Sequence, residues 1–138
     1  MSIDRMRTIL EVEPLSDGDI RLCWSDGTNA KVKVPDELQC AGAPTLGDWG
    51  HSVAWPNGVE LGADTLWLRT LSAVGRDDAR QFLEWRLRNG LSLSKAADAL
   101  GLARRTIAYY SNGERPVPKA ILLACTGWEV GHHLQKAA

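Results

Sequence analysis

The chain has 138 residues, a length that suits one domain or two very small ones. Hydrophobic residues make up 44% and charged residues 24%, which excludes global disorder and a collagen-like fibre. No stretch approaches the length of about 18 apolar residues that a membrane span needs, and the charged N-terminus lacks the apolar segment of a secretory signal. We therefore expect no membrane partner and a cytoplasmic location.

The net charge of −1 hides an asymmetry between the two parts of the chain. Residues 1–75 contain 6 basic and 11 acidic residues, whereas residues 76–138 contain 10 basic and 6 acidic residues. Opposite signs favour two modules with different partners, and a basic module favours nucleic acid.

Three stretches near the start of the chain have the composition and alternation of β-strands. Residues 8–12 are rich in β-forming residues, and residues 20–24 and 30–34 alternate apolar with polar side chains. The Asp26-Gly27 step between the last two is typical of a β-hairpin. We predict an antiparallel meander of three strands, with Trp24 in its core.

The next part of the chain predicts less regular structure. Residues 35–50 are interrupted by glycine and proline, which is typical of a loop. Short strands are predicted at 52–55 and 59–61, on either side of a Pro-Asn-Gly turn. Trp49 and Trp55 flank the loop and could line a pocket or a dimer surface; a core or interface position is favoured over a ligand site.

Helical signals dominate from residue 64 onward. One helix is predicted from a cap at Asp64 to about Ala73, with Leu68 and Leu71 facing inward. The helices that follow are predicted at 77–88, from a cap at Ser92 or Ser94 to residue 100, and at 104–111. A last helix is predicted from Pro118, with a weak pattern after residue 131. The apolar residues expected to face inward from the first and last of these are Ala79, Phe82, Leu83, Leu87, Ile121, Leu122, Cys125 and Trp128.

One spacing in the helical part carries specific information. Ala97, Gly101 and Ile107 are separated by four and six residues. Two helices that cross closely need a small residue at the contact and a turn of about 3–4 residues that often contains glycine. Glycine supplies a positive φ at that turn, and the isoleucine fills the gap between the helices. This spacing is typical of a helix-turn-helix.

Residues 79–128 resemble the helix-turn-helix domains of the phage-repressor/Cro-like, or XRE-type, family. The resemblance covers the three spaced positions, the helix before them, and residues 111–118, which are similar to the family's N-G-x-R-x-P loop. It implies an all-α, lambda-repressor-like DNA-binding domain at residues 76–138. It also implies a homodimer on paired half-sites of double-stranded DNA, joined through the N-terminal module or the helix carrying Trp128.

The resemblance also assigns residues to the DNA. In that family the third helix lies in the major groove with its first residues toward the bases, and helix 104–111 corresponds to it. Guanidinium groups can pair with guanine or with phosphate, and the start of the second helix favours phosphate. The residues expected at the DNA are Ser92, Ser94, Arg104, Arg105, Thr106, Tyr109, Asn112 and Arg115.

The first part of the chain resembles a small bacterial domain family of unknown function that is found beside helix-turn-helix domains. The resemblance covers about residues 5–70 and rests on the meander, its Asp-Gly hairpin and the segment 53–66. It implies a small α+β accessory domain at residues 1–75 and no particular chemistry. The predicted fold class of the whole chain is therefore α+β.

Catalytic and metal-binding patterns are missing from the sequence. There is no phosphate-binding glycine loop and no G-x-S-x-G or H-E-x-x-H motif. The three cysteines form no Cys-x-x-Cys pair, and we expect reduced, mostly buried thiols. The histidines lack the neighbours that zinc requires. We expect neither enzymatic activity nor a cofactor nor a metal.

The sequence therefore predicts a sequence-specific DNA-binding protein that regulates transcription through helix 104–111 in the major groove. An alternative is an antitoxin-like interaction module that binds a protein partner through residues 1–75. Leu93 and Ala103 favour this alternative, because the family often has glutamine and a polar cap at these positions; Arg104 and Arg105 oppose it. A further alternative is a regulator that senses a small molecule near Trp49 or Trp55.

Overall fold

A computed structural model describes the backbone of residues 7–137 and the side chains through residue 134. Within it, contacts divide the chain into two units, with the boundary along the sequence between Gly75 and Arg76. The first six residues of the predicted N-terminal domain lie outside the described residues. None of the helices that the structure describes combines the length and apolarity that crossing a membrane requires.

The first unit begins with the predicted meander. Strands β1 (Ile9–Pro14), β2 (Ile20–Trp24) and β3 (Asn29–Val32) form an antiparallel sheet in the order β1-β2-β3. Leu22 lies opposite Val12 on one side and Ala30 on the other. The apolar residues of β2 and β3 are buried on one face of the sheet, because side chains alternate between the two faces of a strand. The predicted meander and its inward face are confirmed.

A second sheet follows where the sequence predicts mostly loop. A short helix α1 (Asp36–Gln39) precedes strands β4 (Thr45–Gly47), β5 (Ser52–Ala54) and β6 (Glu60–Gly62), which pair in that order. The prediction of a loop throughout residues 35–50 was therefore wrong. Strand β4 has three residues and no buried side chain, so its pairing with β5 leaves no periodic signal.

Helix α2 (Ala63–Ala73) completes the first unit and packs against β3. Its inward residues are Leu66, Trp67 and Leu71, whereas Leu68, predicted to face inward, is half-buried. Asp64 lies in the first turn and is not the cap; Gly62 occupies the cap position.

A buried hydrogen-bond chain ties α2 to the meander. The indole N–H of Trp24 donates to the Thr70 hydroxyl at 3.0 Å, and that hydroxyl donates to the Leu66 carbonyl at 2.9 Å. The Trp67 ring meets Trp24 edge-on, with ring centroids 5.0 Å apart. The buried indole N–H of Trp24 and the buried hydroxyl of Thr70 are thus both satisfied, and Trp24 is a core residue as predicted.

Trp49 and Trp55 do not share a surface or a pocket. Trp55 is 4% exposed and belongs to the core, whereas Trp49 is 94% exposed. Trp49 lies in a single turn of 3-10 helix, Asp48–Gly50, and has a φ of 57°. The favoured core or interface position is thus met by Trp55, which is enclosed by its own unit, whereas Trp49 projects into solvent.

The second unit consists of four helices. These are α3 (Asp77–Arg88), α4 (Leu93–Leu100), α5 (Arg104–Asn112) and α6 (Lys119–Ala137). They share one apolar core, which is built from Phe82, Trp85, Ala96, Ala97, Ile107, Val117 and Cys125. Together with the two sheets of the first unit, this confirms the predicted α+β fold class.

Several details of this unit differ from the sequence prediction. Helix α6 continues through the weakly patterned tail to Ala137. Trp85, which was not among the predicted inward residues, is buried, whereas Leu87 is half-buried. Cys125 is buried, and burial raises the pKa of its thiol to about 12. Cys40, in the first unit, is exposed, so the expectation of mostly buried thiols holds poorly.

Gly50 offers a test of the packing of the first unit. It has a φ of +89°, and a Cβ there would stand 2.6 Å from the carbonyl oxygen of Ile9. Gly27 has nearly the same φ, +92°, but open space around it. We expect Gly27→Ala to lower the free energy of unfolding by about 1–2 kcal/mol, the cost of a left-handed backbone. Gly50→Ala should cost about 1–3 kcal/mol more, because β1 must shift.

Urea denaturation of both variants measures the difference. Equal losses would show that the close approach of Gly50 to β1 does not exist in solution.

Candidate nucleic-acid interface

The connection between α4 and α5 fixes how the two helices lie. Gly101 ends α4 with a φ of 67°, and its N–H donates to the carbonyl of Ala97. The N–H of Leu102 donates to the same carbonyl at 3.0 Å. Ala97 and Ile107 lie in one apolar cluster on the two sides of this turn. The three positions have the structure that their spacing predicts. Ala97 is a small residue at the helix contact, Gly101 has a left-handed backbone at the turn, and the side chain of Ile107 is buried between the helices.

Helix α5 has one anchored face. Ile107 and Ala108 are buried, and the buried Ser111 hydroxyl accepts a hydrogen bond from Nη1 of Arg86 at 2.8 Å. The ring of Tyr110 meets the edge of Phe82 with centroids 5.4 Å apart. Because this face is held by α3 and the core, the opposite face at the start of α5 turns outward. Arg104 and Arg105 are exposed there.

The N-termini of the two helices differ in their caps. Ser92 is the N-cap of α4, and its hydroxyl oxygen accepts a hydrogen bond from the N–H of Lys95 at 3.1 Å. Ala103 occupies the N-cap of α5 and has no side chain that can cap. The N–H of Thr106 in the first turn of α5 donates to the carbonyl of Ala103 at 3.0 Å, so the two helix starts differ in whether a side chain caps them.

Tyr109 and Arg115 come together although they lie in different elements. The guanidinium carbon of Arg115, in the loop after α5, is 4.2 Å from the centroid of the Tyr109 ring. A cation held over an aromatic face loses part of its freedom. The pair therefore orients a positive charge beside the second half of α5.

A clamp of two charged residues shapes that loop. Arg76 donates hydrogen bonds to the carbonyls of Gly113 and Arg115, the latter at 3.2 Å. Nε of Arg76 also lies 3.2 Å from Oδ1 of Asp78. The second carboxylate oxygen of Asp78 accepts a hydrogen bond from the N–H of Val117 at 2.8 Å. The start of α3 thus holds the loop from both ends.

The electrostatics of this clamp favour the charged form of Asp78. Partial burial alone would raise the pKa of its carboxyl, but the hydrogen bonds from Arg76 and from the N–H groups of Val117 and Ala79 outweigh burial. The net effect lowers the pKa of Asp78 below its ordinary value of 3.8. The carboxylate therefore stays ionised at neutral pH and keeps the loop attached.

Sequence reasoning missed this clamp. In the sequence, Asp77 and Asp78 stand only at the start of the predicted helix 77–88, and Arg76 lies just before it. Arg76 occupies the N-cap position and makes no side-chain cap hydrogen bond. The partners of Arg76 lie 37 and 39 residues away and are backbone carbonyls. No pattern of side chains in the sequence could have identified them.

The structure places all eight predicted site residues on α4, α5 and the loop after α5. Ser92 and Ser94 are exposed at the start of α4, and Thr106, Tyr109 and Asn112 are half-buried on α5. Tyr109 and Arg115 are in contact. Taken in chain order, the residues are Ser92, Ser94, Arg104, Arg105, Thr106, Tyr109, Asn112 and Arg115.

Comparison with known proteins yields one structural relative of the chain. It is the crystal structure of a protein from Nitrosomonas europaea ATCC 19718 that is named "Putative DNA Binding Protein". The two chains are 30% identical, the match covers 94% of this chain and 90% of that one, and the TM-score is 0.62. No protein-family model matches the chain, and no curated protein does.

The clamp can be tested by removing Arg76. We expect Arg76→Ala to lower the free energy of unfolding by about 1–3 kcal/mol, because three acceptors lose a charged donor. Hydrogen exchange at the Val117 amide should accelerate in the same variant. Arg80→Ala is the matched control: it removes ion pairs with Asp77 and Glu84 at the surface of the same helix and should cost less than about 1 kcal/mol.

The clamp also predicts a pH dependence. Because the pKa of Asp78 is lowered on folding, its carboxylate stabilises the fold at neutral pH. That contribution disappears as the pH falls from 3.8 through the lowered pKa. The gap in unfolding free energy between wild type and Arg76→Ala should narrow over this range, and a gap that stays constant would contradict the pairing.

Proposed function

Because the chain belongs to the same family as the Nitrosomonas europaea protein, we propose that it binds double-stranded DNA, with α4 and α5 acting as a helix-turn-helix. One observation carries the proposal. Arg104 and Arg105 are exposed at the start of a helix whose other face is anchored in the core. A rigid helix that presents basic residues at its N-terminal end suits insertion into the major groove.

The chemistry of these side chains suits direct recognition of bases. Arginine can donate two hydrogen bonds at once to O6 and N7 of guanine, a contact that distinguishes guanine from the other bases. Thr106 follows in the same turn and offers a hydroxyl and a methyl group. In this proposal Arg104 and Arg105 select the sequence, with Thr106 beside them.

The remaining site residues suit the phosphate backbone. Ser92 and Ser94 lie at the start of α4, where the helix dipole favours an anion. Arg115 is oriented by the Tyr109 ring, and Asn112 is the last residue of α5. These contacts would fix the register of the protein on the duplex without reading its sequence.

We infer that this binding serves transcription regulation. A helix-turn-helix reads one short half-site, and two copies on paired half-sites supply the affinity and specificity that a genome requires. The protein would therefore act as a homodimer. The mechanism is occupation of a DNA site, and it requires neither catalysis nor a cofactor.

A second candidate function is supported by Trp49. This side chain is 94% exposed and has a left-handed backbone that costs a residue with a side chain about 1–2 kcal/mol. A strained position that displays a large aromatic group gains nothing in stability, so it favours contact with another molecule. Under this hypothesis residues 1–75 bind a protein partner and DNA binding is secondary.

Selection of DNA fragments tests the first proposal against the second. The purified protein is incubated with random and genomic fragments at two salt concentrations, in parallel with Arg104→Ala/Arg105→Ala. We expect wild type to select one sequence and the double variant to lose that selection. Each arginine that contacts a base should contribute about 1–3 kcal/mol of discrimination.

Arg21→Ala is the matched control, because Arg21 is exposed on β2, in the first unit, outside the helices assigned to DNA. It should leave selection intact. Binding that is unselective and abolished by modest salt would show that the protein is held only by electrostatic attraction to the phosphate backbone. That outcome would overturn sequence-specific recognition and favour a protein partner of residues 1–75.

The Tyr109–Arg115 pair predicts a separate effect on affinity. Tyr109→Ala removes the aromatic face that orients Arg115 and should weaken binding to all sequences equally. Tyr109→Phe keeps the ring and should bind as wild type does. The affinity is measured at several salt concentrations for wild type, for both Tyr109 variants and for Arg115→Ala. Loss of one phosphate contact should lower the slope of log affinity against log salt concentration by about one. A change in sequence preference in Tyr109→Ala would assign Tyr109 to the bases instead.

A further inference from the structure

Helix α6 has an apolar face that its own unit does not cover. Leu123, Val130 and Leu134 are 62%, 55% and 67% exposed. With Ala120 and Gly127, also exposed, they recur at intervals of three and four residues. This is the spacing of the seam in a pair of coiled helices. The inner residues of α6, which pack on the core, lie at other positions.

Charge is nearly absent from the outer face of α6. Glu129 is the one Asp, Glu, Lys or Arg between residues 120 and 134. Its carboxylate is turned toward α3, where it lies 2.9 Å from Nε of Arg88 and accepts a hydrogen bond from Asn89 at 2.6 Å. Covering the outer face therefore requires no burial of an unpaired charge.

Two glycines on this face have no explanation within the chain. Gly127 and Gly131 are exposed in the middle of α6, and a Cβ at either would meet nothing. Each costs about 1 kcal/mol of helix stability relative to alanine. Internal packing does not require them, so their role is explained best by a molecule that approaches the helix closely from outside.

We propose that the outer face of α6 pairs with the same face of a second copy of the chain. The two α6 helices would run antiparallel, with the two-fold axis at Gly127. A residue that lies n positions after Gly127 then faces the residue that lies n positions before Gly127 in the second copy. Every large side chain then meets a small residue of the partner helix. The four pairs are Leu123 with Gly131, Val130 with Ala124, Leu134 with Ala120, and Gly127 with itself.

A two-fold interface uses the same surface of both copies, so each contact occurs twice with the two copies exchanged. The surface must therefore be complementary to itself, as this face is. The face spans about 21 Å of helix, from Ala120 to Leu134. A single helix pair lies at the small end of protein interfaces, so the dimer should dissociate in the micromolar range, on the order of 1–100 µM. The pairing does not rest on DNA binding, and its test contains no DNA.

Sedimentation equilibrium of the full chain tests the pairing. Wild type should show a monomer–dimer equilibrium. Gly131→Leu fills the space that Leu123 of the second copy would occupy, so its dissociation constant should rise about tenfold to hundredfold. The monomer has open space at this position, so thermal unfolding should show a fold at least as stable as wild type. Thr126→Leu adds the same side chain at another exposed position of α6 and should leave the equilibrium unchanged.

A compensating variant tests the register itself. Gly131→Leu/Leu123→Ala exchanges large for small across each contact and should restore most of the lost association. Recovery would support the antiparallel pair centred on Gly127. The proposal is overturned if wild type stays monomeric, if Gly131→Leu associates as wild type does, or if the double variant remains as weak as Gly131→Leu.

Discussion

The close contact of α4 with α5 is the constraint on which the candidate interface depends. Ala97 permits the approach, Gly101 reverses the chain, and the buried Ile107 locks α5 against the core. Because interiors are closely packed, this contact sets the direction of the exposed start of α5. Arg104 and Arg105 owe their position to three residues that would touch no DNA, and the Arg76–Asp78 clamp extends the same rigidity to the loop after α5.

Elements with local signals could be predicted from the sequence. Strand β2 begins and ends where its alternation does, since residues 20–24 bury every second side chain. The turn at Gly101 was predictable, and the cap of α4 was narrowed to Ser92 or Ser94, because each depends on residues within one helical turn. All eight candidate site residues were assigned through the resemblance to the helix-turn-helix family; they lie on α4, α5 and the following loop, and their contact with DNA stays a prediction.

Elements that depend on distant partners could not be predicted. Strand β4 exists because it pairs with β5, and its exposed residues carry no alternation. The loop clamp joins Arg76 to backbone carbonyls, which every residue possesses. Trp49 was placed with Trp55 at a core, interface or pocket position, as is usual for tryptophan, but its side chain is 94% exposed. In each case the missing information was tertiary and lay outside the local window.

Helix α6 is continuous to Ala137 although the sequence shows only a weak helical pattern after residue 131. Its inner face requires apolar residues at Ile121, Leu122, Cys125 and Trp128, and its outer face carries another set at intervals of three and four. Two apolar stripes on one helix erase the contrast on which amphipathic patterns depend. A weak amphipathic pattern after residue 131 is therefore expected if one face of α6 packs on its own core and the opposite face packs on a second copy of the chain.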